Sequence, residues 1–425
     1  MILQLVIVFV VLIGIGVPIA FSMGIAGSIA VLTSNFKPDM IIHRTVMGVD
    51  DFLLVAVPMF ILAGNIMERG DISSRLIYLA KSLLCWLRGG LPMSMVLAEM
   101  FFSGISGSTA ADVSAMTAMA VPPMRKAGYS KAYSLAIICA ASAFGILIPP
   151  CILMVVLSAI VGTSVLAVFV GSVLPTLILA VLVMGYIWFK AKSEQYETEP
   201  FSLKETARLF KECIWALGLP IIIFGGVIFG VATATEIAAV SVVYAFIVAK
   251  YVYKKLSWKD TFEVIKKSAI TTGTLCIMFG FATIISYLLA LNHVPEILLD
   301  WLTAITSSPT VVLVIFSLIF VIMGSVLEGL PAGLIFVPVF WPVAKEFGID
   351  PIHFLEVVVV SIGLGLFIPP AGLGMIISCT VGKEKVELVA REFIPFLIML
   401  LIGIIIIAAI PWLSTVTPKV LGVTY

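Results

Sequence analysis

The chain has 425 residues, 61% of them hydrophobic and 12% charged, with a formal net charge of +1 and a mean hydropathy of +1.21. These values exclude a soluble globular domain and indicate an all-α polytopic membrane protein. The near-zero charge implies no nucleic-acid partner. The cysteines (Cys85, Cys139, Cys151, Cys213, Cys276 and Cys379) include no CxxC pair, so they read as small buried side chains rather than a disulfide framework or a metal site.

A spanning helix needs about 20 apolar residues. Residues 2–36 predict two helices that bend near Gly14, Gly16 and Pro18. The N-terminus has no basic region and reads as a first span rather than a cleaved signal. Residues 37–51 are polar, 52–67 predict a helix, and 68–90 an amphipathic segment in the interface, with Arg69, Arg75, Lys81 and Arg88. Residues 91–123 are apolar but interrupted between Ser103 and Thr109. The limbs are too short for two spans, so a re-entrant hairpin is expected. A broken helix at 132–160 and a span at 165–189 complete the first half, 1–189.

A polar cytoplasmic linker, 190–211, divides the chain, and the second half is 212–425. Helices are expected there at 212–231 and 235–253, then a basic loop with Lys254, Lys255, Lys259, Lys266 and Lys267, then a helix at 268–290. Residues 291–308 contain no Lys or Arg. A second hairpin at 310–343, interrupted at 324–329, a second broken helix at 352–382 and a last helix at 392–413 follow.

The breaks occur twice in one pattern. Gly145-Ile146-Leu147-Ile148-Pro149-Pro150 is matched by Gly365-Leu366-Phe367-Ile368-Pro369-Pro370. Each double proline removes amides that would bond four residues back, which leaves the carbonyls of Gly145, Ile146, Gly365 and Leu366 in want of partners. Ile148 and Ile368, as residues before proline, should be extended. The halves align without a gap at an offset of 220 residues: Gly104 on Gly324, Pro122 on Pro342, Gly128 on Gly348, Gly145 on Gly365. This is an internal duplication. Basic loops at 190–211 and 254–267 are expected to be cytoplasmic and 291–308 external, so each half crosses five times and the repeats have inverted topology.

Broken backbone is tolerated at membrane depth only where it is buried in protein or lines a polar cavity, and paired breaks point to the site of a secondary transporter. Na⁺ is a hard cation that takes oxygen ligands. The first sodium site is expected at Ser103, Ser106, Gly145, Ile148 and Pro149, the second at Gly324, Leu327, Gly365, Ile368 and Ala371. The substrate is expected between the tips, at Ser106, Ser108, Thr109 and Glu328, where the start of a half helix receives a carboxylate and Glu328 meets an amine, a hydroxyl or a proton. The plainer reading of these residues is tight helix packing at the glycines and capping at the polar side chains. Asp112 is expected to cap the second limb of its hairpin, and Glu99 and Glu236 to act as polar glue or interface residues. His43, His293 and His353 form no metal spacing, no P-loop is present, and no catalytic triad assembles, so an intramembrane enzyme is a poor alternative.

The run Ser103-Gly104-Ile105-Ser106-Gly107-Ser108 with Ala111-Asp112, Pro122-Pro123-Met124, Gly128-Tyr129 and Ile148-Pro149-Pro150, joined by Gly324 through Pro338, Pro342 and Gly348 through Pro351, resembles the large membrane subunit of a tripartite ATP-independent periplasmic (TRAP) transporter over nearly the whole chain. The resemblance implies a multi-pass subunit of the bacterial inner membrane, driven by a Na⁺ gradient and working as an elevator. It also implies a small four-helix membrane subunit, a periplasmic substrate-binding protein and an organic-acid substrate as partners. Members often have Ser where Cys151 stands, Thr where Ile368 stands, and Asp where Glu328 stands, followed by hydroxyl residues where Gly329 and Leu330 stand. The altered tip favours a sialic acid or similar sugar acid over a small dicarboxylate. The alternative is a self-sufficient sodium-coupled dicarboxylate symporter on a similar scaffold.

Overall fold

Glycine and proline set the helix boundaries. Gly16, at φ +87°, turns the chain between α1 (Ile2–Gly14) and α2 (Ile19–Leu32), and Pro18 stands at the N-cap of α2. The structure is a computed structural model. It describes all residues but 35, 71, 193–199, 229–231, 424 and 425, and only the backbone at 72–74, 105, 106, 227 and 228.

Next come α3 (Asp39–Met47), a 3-10 turn at Phe52–Val55 that runs into α4 (Ala56–Arg69), and α5 (Ile72–Leu84). The first hairpin is α6 (Gly90–Ser106) and α7 (Thr109–Lys126), and the first broken helix is α8 (Lys131–Gly145) and α9 (Ile152–Val161). Helix α10 (Val165–Gly171) passes through Ser172 into α11 (Val173–Lys190). The second half holds α12 (Leu203–Ile228), α13 (Ala234–Ile247) with a π turn at Val248–Val252, α14 (Trp258–Leu291) and α15 (Val294–Ile305). The second hairpin is α16 (Pro309–Val326) and α17 (Gly329–Glu346), the second broken helix α18 (Pro351–Gly365) and α19 (Leu373–Gly382), and the chain continues in α20 (Val386–Ala409) and α21 (Trp412–Val420). The described residues contain no strand, and 7 of their helices are long and apolar enough to cross a membrane.

The loop at 254–267 and the linker at 190–211 are corrected, and the stretches 37–51 and 291–308, given no secondary structure from the sequence, are largely helical. The polar stretch 37–51 contains α3, pinned to α14 by Arg44 stacked 3.5 Å over the Tyr287 ring. The basic stretch 254–267 is largely helix, because Ser257 and Asp260 form a capping box that starts α14 at Trp258. The stretch 291–308 contains α15, and the second part of the linker 190–211 belongs to α12, which begins at Leu203. Hydropathy reports depth in a bilayer, not helix, and these segments are helices with a polar face.

The offset of 220 holds helix by helix. Helix α7 maps onto α17 and α8 onto α18 end to end. Gly128 and Gly348, which close the hairpins, both have positive φ, +90° and +68°. The Pro149–Pro150 and Pro369–Pro370 peptide bonds are both cis. Packing is exchanged between the halves: α9 lies on α17 and α19 on α7, while α4 lies on α13 and α14 on α2. That exchange is a pseudo-twofold. Its axis passes near the crossing of α8 and α18, where a Cβ on Gly363 would sit 2.3 Å from the Ala143 carbonyl oxygen. These two helices are the core: every residue from Tyr133 to Gly145 and from Ile352 to Gly365 is buried. Leu3, Val6, Ile7 and Val10 of α1, and Ile221, Val240 and Val243 of α12 and α13, stand exposed on the outside, where a bilayer would cover them.

Candidate functional site between the hairpin tips

The first tip turns at Gly107, whose φ of +66° ends α6, and Ser108 then starts α7. At the second tip Leu327 leaves α16 in extended conformation and Glu328 starts α17. Three of the four carbonyls expected to be bare, those of Gly145, Gly365 and Leu366, have donors. The Gly145 carbonyl accepts the Ile148 amide at 2.8 Å and the Ser103 hydroxyl at 2.9 Å. The Gly365 carbonyl accepts the Ile368 amide at 3.1 Å, and the Leu366 carbonyl accepts Gly374 at 2.9 Å. The chain folds back at each break and supplies donors from elsewhere, as buried backbone must.

The first tip sits against its own broken helix. A Cβ on Gly104 would lie 3.0 Å from the Ile148 side chain and 3.2 Å from the Pro149 carbonyl oxygen, and one on Gly145 would lie 3.1 Å from Ser103 Oγ. Ser103, Gly145, Ile148 and Pro149 are therefore brought together. The side chain of Ser106 lies outside the described residues. In the second half Gly324 and Gly365 meet backbone to backbone, a Cβ on Gly365 lying 2.8 Å from the Gly324 Cα. Leu327 follows on the same tip, Ile368 accepts the Gly372 amide at 2.8 Å, and Ala371 is exposed in that loop.

A cavity of about 230 Å³ lies between the tips, and Ser108, Thr109 and Glu328 all line it. Four helix N-termini reach its wall: α7 at Ser108 and Thr109, α9 at Cys151 and Ile152, α17 at Glu328 and Gly329, and α19 at Leu373. None of the four is capped by the side chain of its own N-cap residue. Each presents the positive end of a helix dipole, so together they favour an anion.

The far wall comes from α4 and α14 and was missed in the sequence. It holds Asn65, Glu68, Lys267 and Thr271. Lys267 Nζ lies 3.5 Å from Glu68 Oε2, and Asn65 Nδ2 donates to Ser268 Oγ at 2.9 Å. The signal was available: once the Ser257–Asp260 capping box starts the helix, Lys267 and Thr271 fall one turn apart on it.

Other polar groups have structural places. Glu236 closes the capping box of α13 with Thr233. Glu99 and Asp112 are buried within the first hairpin, and the Ser142 hydroxyl donates to Glu99 Oε1. His353 is buried, with Nε2 donating to the Ala408 carbonyl and Nδ1 accepting from Ser414 Oγ, both at 3.3 Å. Glu356, one turn on, is fully buried and was not singled out. Among the described residues no three His, Cys, Asp or Glu side chains form a metal-holding group.

Comparison with known proteins bears on this arrangement. Residues 6–413 match the family model for the DctM component of the tripartite ATP-independent periplasmic transporter. The C4-dicarboxylate TRAP transporter large permease protein DctM of Pseudomonas aeruginosa is 35% identical over 407 residues, which is 95% of each chain. The sialic acid TRAP transporter large permease protein SiaM of Vibrio cholerae is 30% identical over 406 residues, again 95% of each chain. The crystal structure of the YdaH transporter of Alcanivorax borkumensis, described as having an unusual topology, matches 88% of this chain and 87% of its own with a TM-score of 0.62 at 13% identity, a likeness of fold alone. The chain belongs to the DctM family of TRAP transporters, and is a large permease subunit, not an enzyme.

Proposed function

We propose that this subunit carries an organic acid across the bacterial inner membrane, coupled to a Na⁺ gradient, by an elevator motion. The observation that carries the reading is the convergence of four helix N-termini on one cavity between the tips. A carboxylate is the ligand such a wall favours. The cation reading rests on the tips, where the Ser103 hydroxyl spends its hydrogen on Gly145 and keeps its lone pairs for a cation. Family membership implies a small membrane subunit and a periplasmic binding protein as partners, and removes the ground for a self-sufficient symporter.

The elevator reading is supported by the cavity's two origins. Hairpins and broken helices pack together with α10, α11, α20 and α21, α4 and α14 pack with α2 and α13, and the two groups meet where α14 lies on α17 and α4 on α6 and α9. The cavity has walls from both groups, so sliding one past the other would carry a bound acid with the tips. Glu328 and Glu68 both line the cavity. A second carboxylate beside Glu328 would meet it at a cost, whereas hydroxyl groups can donate to it; Glu68 is already paired with Lys267. We therefore favour a monoanionic sugar acid, of the sialic acid type, over a C4-dicarboxylate.

The test is uptake into proteoliposomes that hold this chain and its small subunit, with and without the binding protein, under an imposed Na⁺ gradient. Labelled sialic acid and a C4-dicarboxylate are compared. Uptake of sialic acid that needs both Na⁺ and the binding protein is the expected result. Uptake of only the dicarboxylate would overturn the substrate class, and uptake indifferent to Na⁺ would overturn the coupling.

A further inference from the structure

We propose that Arg44 is the carboxylate ligand of a second station for the substrate, in a cavity that the tips reach when the moving helices slide along α14. This rests on the elevator and organic-acid reading of the first cavity. It adds the fixed wall of the opposite state.

One face of α14 joins the two cavities. Lys267, Thr271 and Leu275 line the cavity between the tips, and Ala282 and Ser286 line a second cavity of about 320 Å³ further along the helix. At 3.6 residues per turn these five positions fall within an arc of about 100°. Thr271 and Ala282 are eleven residues apart, about 16 Å of helix. The moving walls agree. Helix α9 lines the first cavity with Ile152 and the second with Ile160, and α17 lines them with Leu330 and Pro338. Each pair is eight residues apart, about 12 Å of helix. A slide of that order would carry the α9 and α17 N-termini from the first cavity to the second.

The fixed wall of the second cavity is built around Arg44 on α3. Helix α3 is seated on α14 backbone against backbone: a Cβ on Gly280 would lie 2.8 Å from the Thr45 carbonyl oxygen, and Thr283 Oγ1 lies 2.7 Å from the Arg44 carbonyl oxygen. The Arg44 guanidinium carbon lies 3.5 Å over the Tyr287 ring, which also lines the cavity. Stacking uses the face of a guanidinium and leaves its edge, where the N–H groups lie. Among the described residues that edge donates to no acceptor and forms no ion pair. A held guanidinium edge is a bidentate partner for a carboxylate. Asp51, the acid in this wall, is exposed and is engaged as the cap of the Phe52–Val55 turn, accepting the Leu53 amide at 2.8 Å.

The direction fits delivery from outside. Helix α14 runs from the basic stretch expected to be cytoplasmic towards 291–308, expected to be external, so the second cavity lies on the side of a periplasmic binding protein.

The experiment uses this chain with its small subunit in proteoliposomes, with the binding protein and a Na⁺ gradient, and labelled sialic acid and a C4-dicarboxylate as probes. Arg44→Gln should lower uptake about tenfold, as loss of a charge-assisted bond does, and Arg44→Lys should keep part of it. In Arg44→Cys, a cationic methanethiosulfonate should restore uptake and an anionic one should not, with treated wild type as the control for native thiols. Loaded binding protein should protect the introduced thiol from modification, and empty binding protein should not. Full uptake in Arg44→Gln, or the same effect from both reagents, would overturn the proposal. Equal protection by loaded and empty binding protein would also overturn it, by making Arg44 a contact for that protein. Wild type that takes up neither acid would overturn the organic-acid reading and the proposal with it.

Discussion

Gly365, where the second broken helix meets α16, gives a sharp prediction. A Cβ added there would lie 2.4 Å from the Val321 carbonyl oxygen and 2.8 Å from the Gly324 Cα. A carbon–oxygen contact across packed helices settles at about 3.3 Å, so Gly365→Ala must part α16 from α18 by roughly 0.9 Å. The obstructing atoms are backbone, so no side chain can turn aside. Overpacking of this kind costs about 1–3 kcal/mol, and the upper end is expected here. Ligand positions tolerate about 0.5 Å of displacement, so if the second tip binds a cation its affinity should fall with the helix shift. Gly104→Ala is the matched control: its neighbours are a side-chain methyl of Ile148 at 3.0 Å, which can give way, and the Pro149 carbonyl oxygen at 3.2 Å, only about 0.1 Å inside that contact distance. The assays are thermal unfolding in detergent followed by size exclusion, and Na⁺-dependent uptake with the partner proteins. Gly365→Ala should lose thermal stability and uptake, with Gly104→Ala much closer to wild type in both. A wild-type Gly365→Ala, or a Gly104→Ala worse than it, would refute the reasoning.

Ser103→Ala removes a buried hydrogen bond of 2.9 Å to Gly145, worth about 1 kcal/mol, and should raise the Na⁺ concentration for half-maximal uptake. An unchanged Na⁺ requirement would take Ser103 out of the first site. Glu328→Gln removes a charged acceptor from the cavity and should weaken uptake of a polyhydroxy acid about tenfold, as loss of a charge-assisted bond does, with the Na⁺ requirement unmoved. Lys267→Ala leaves Glu68 without its cation in the cavity wall and should lower anion uptake. Because the Lys267 side chain is 62% exposed, thermal stability should stay within about 0.5 kcal/mol of wild type, and a large drop in unfolding temperature would mean that the residue serves the fold instead.

What was legible in the sequence was backbone. The double prolines at the breaks and the hairpin-closing glycines stop or turn the chain, and Gly104 and Gly324 let each hairpin meet its broken helix, so their repetition at one offset located both hairpins and both breaks. The helices outside the apolar core were illegible to hydropathy. Helix α15 could still have been found, since Val294–Ile305 stands at the offset from Ile72–Leu84, which had been read as amphipathic. The half of the cavity wall that carries Lys267 was lost with the start of α14. Glu356 carried the same signal that singled out Glu328, a lone acid in an apolar run, and went unremarked. The prolines misled in one respect. A missing amide predicts a free carbonyl only while the chain runs straight, and at Gly145 and Gly365 it folds back.

The two halves share their backbone and differ in the side chains laid on it, and the difference has a direction. At the offset of 220, Ser108 is opposed by Glu328 across one cavity. Both stand at a helix N-terminus, so both sites offer amide hydrogens. The serine adds a hydroxyl that can donate, and the glutamate adds a carboxylate that only accepts. A symmetric pair of tips would hold a substrate equally well in either orientation. On the proposed substrate reading, an anionic group would meet the Ser108 end and hydroxyl donors the Glu328 end. A duplicated scaffold thereby acquires a polar axis with no change in the path of its chain.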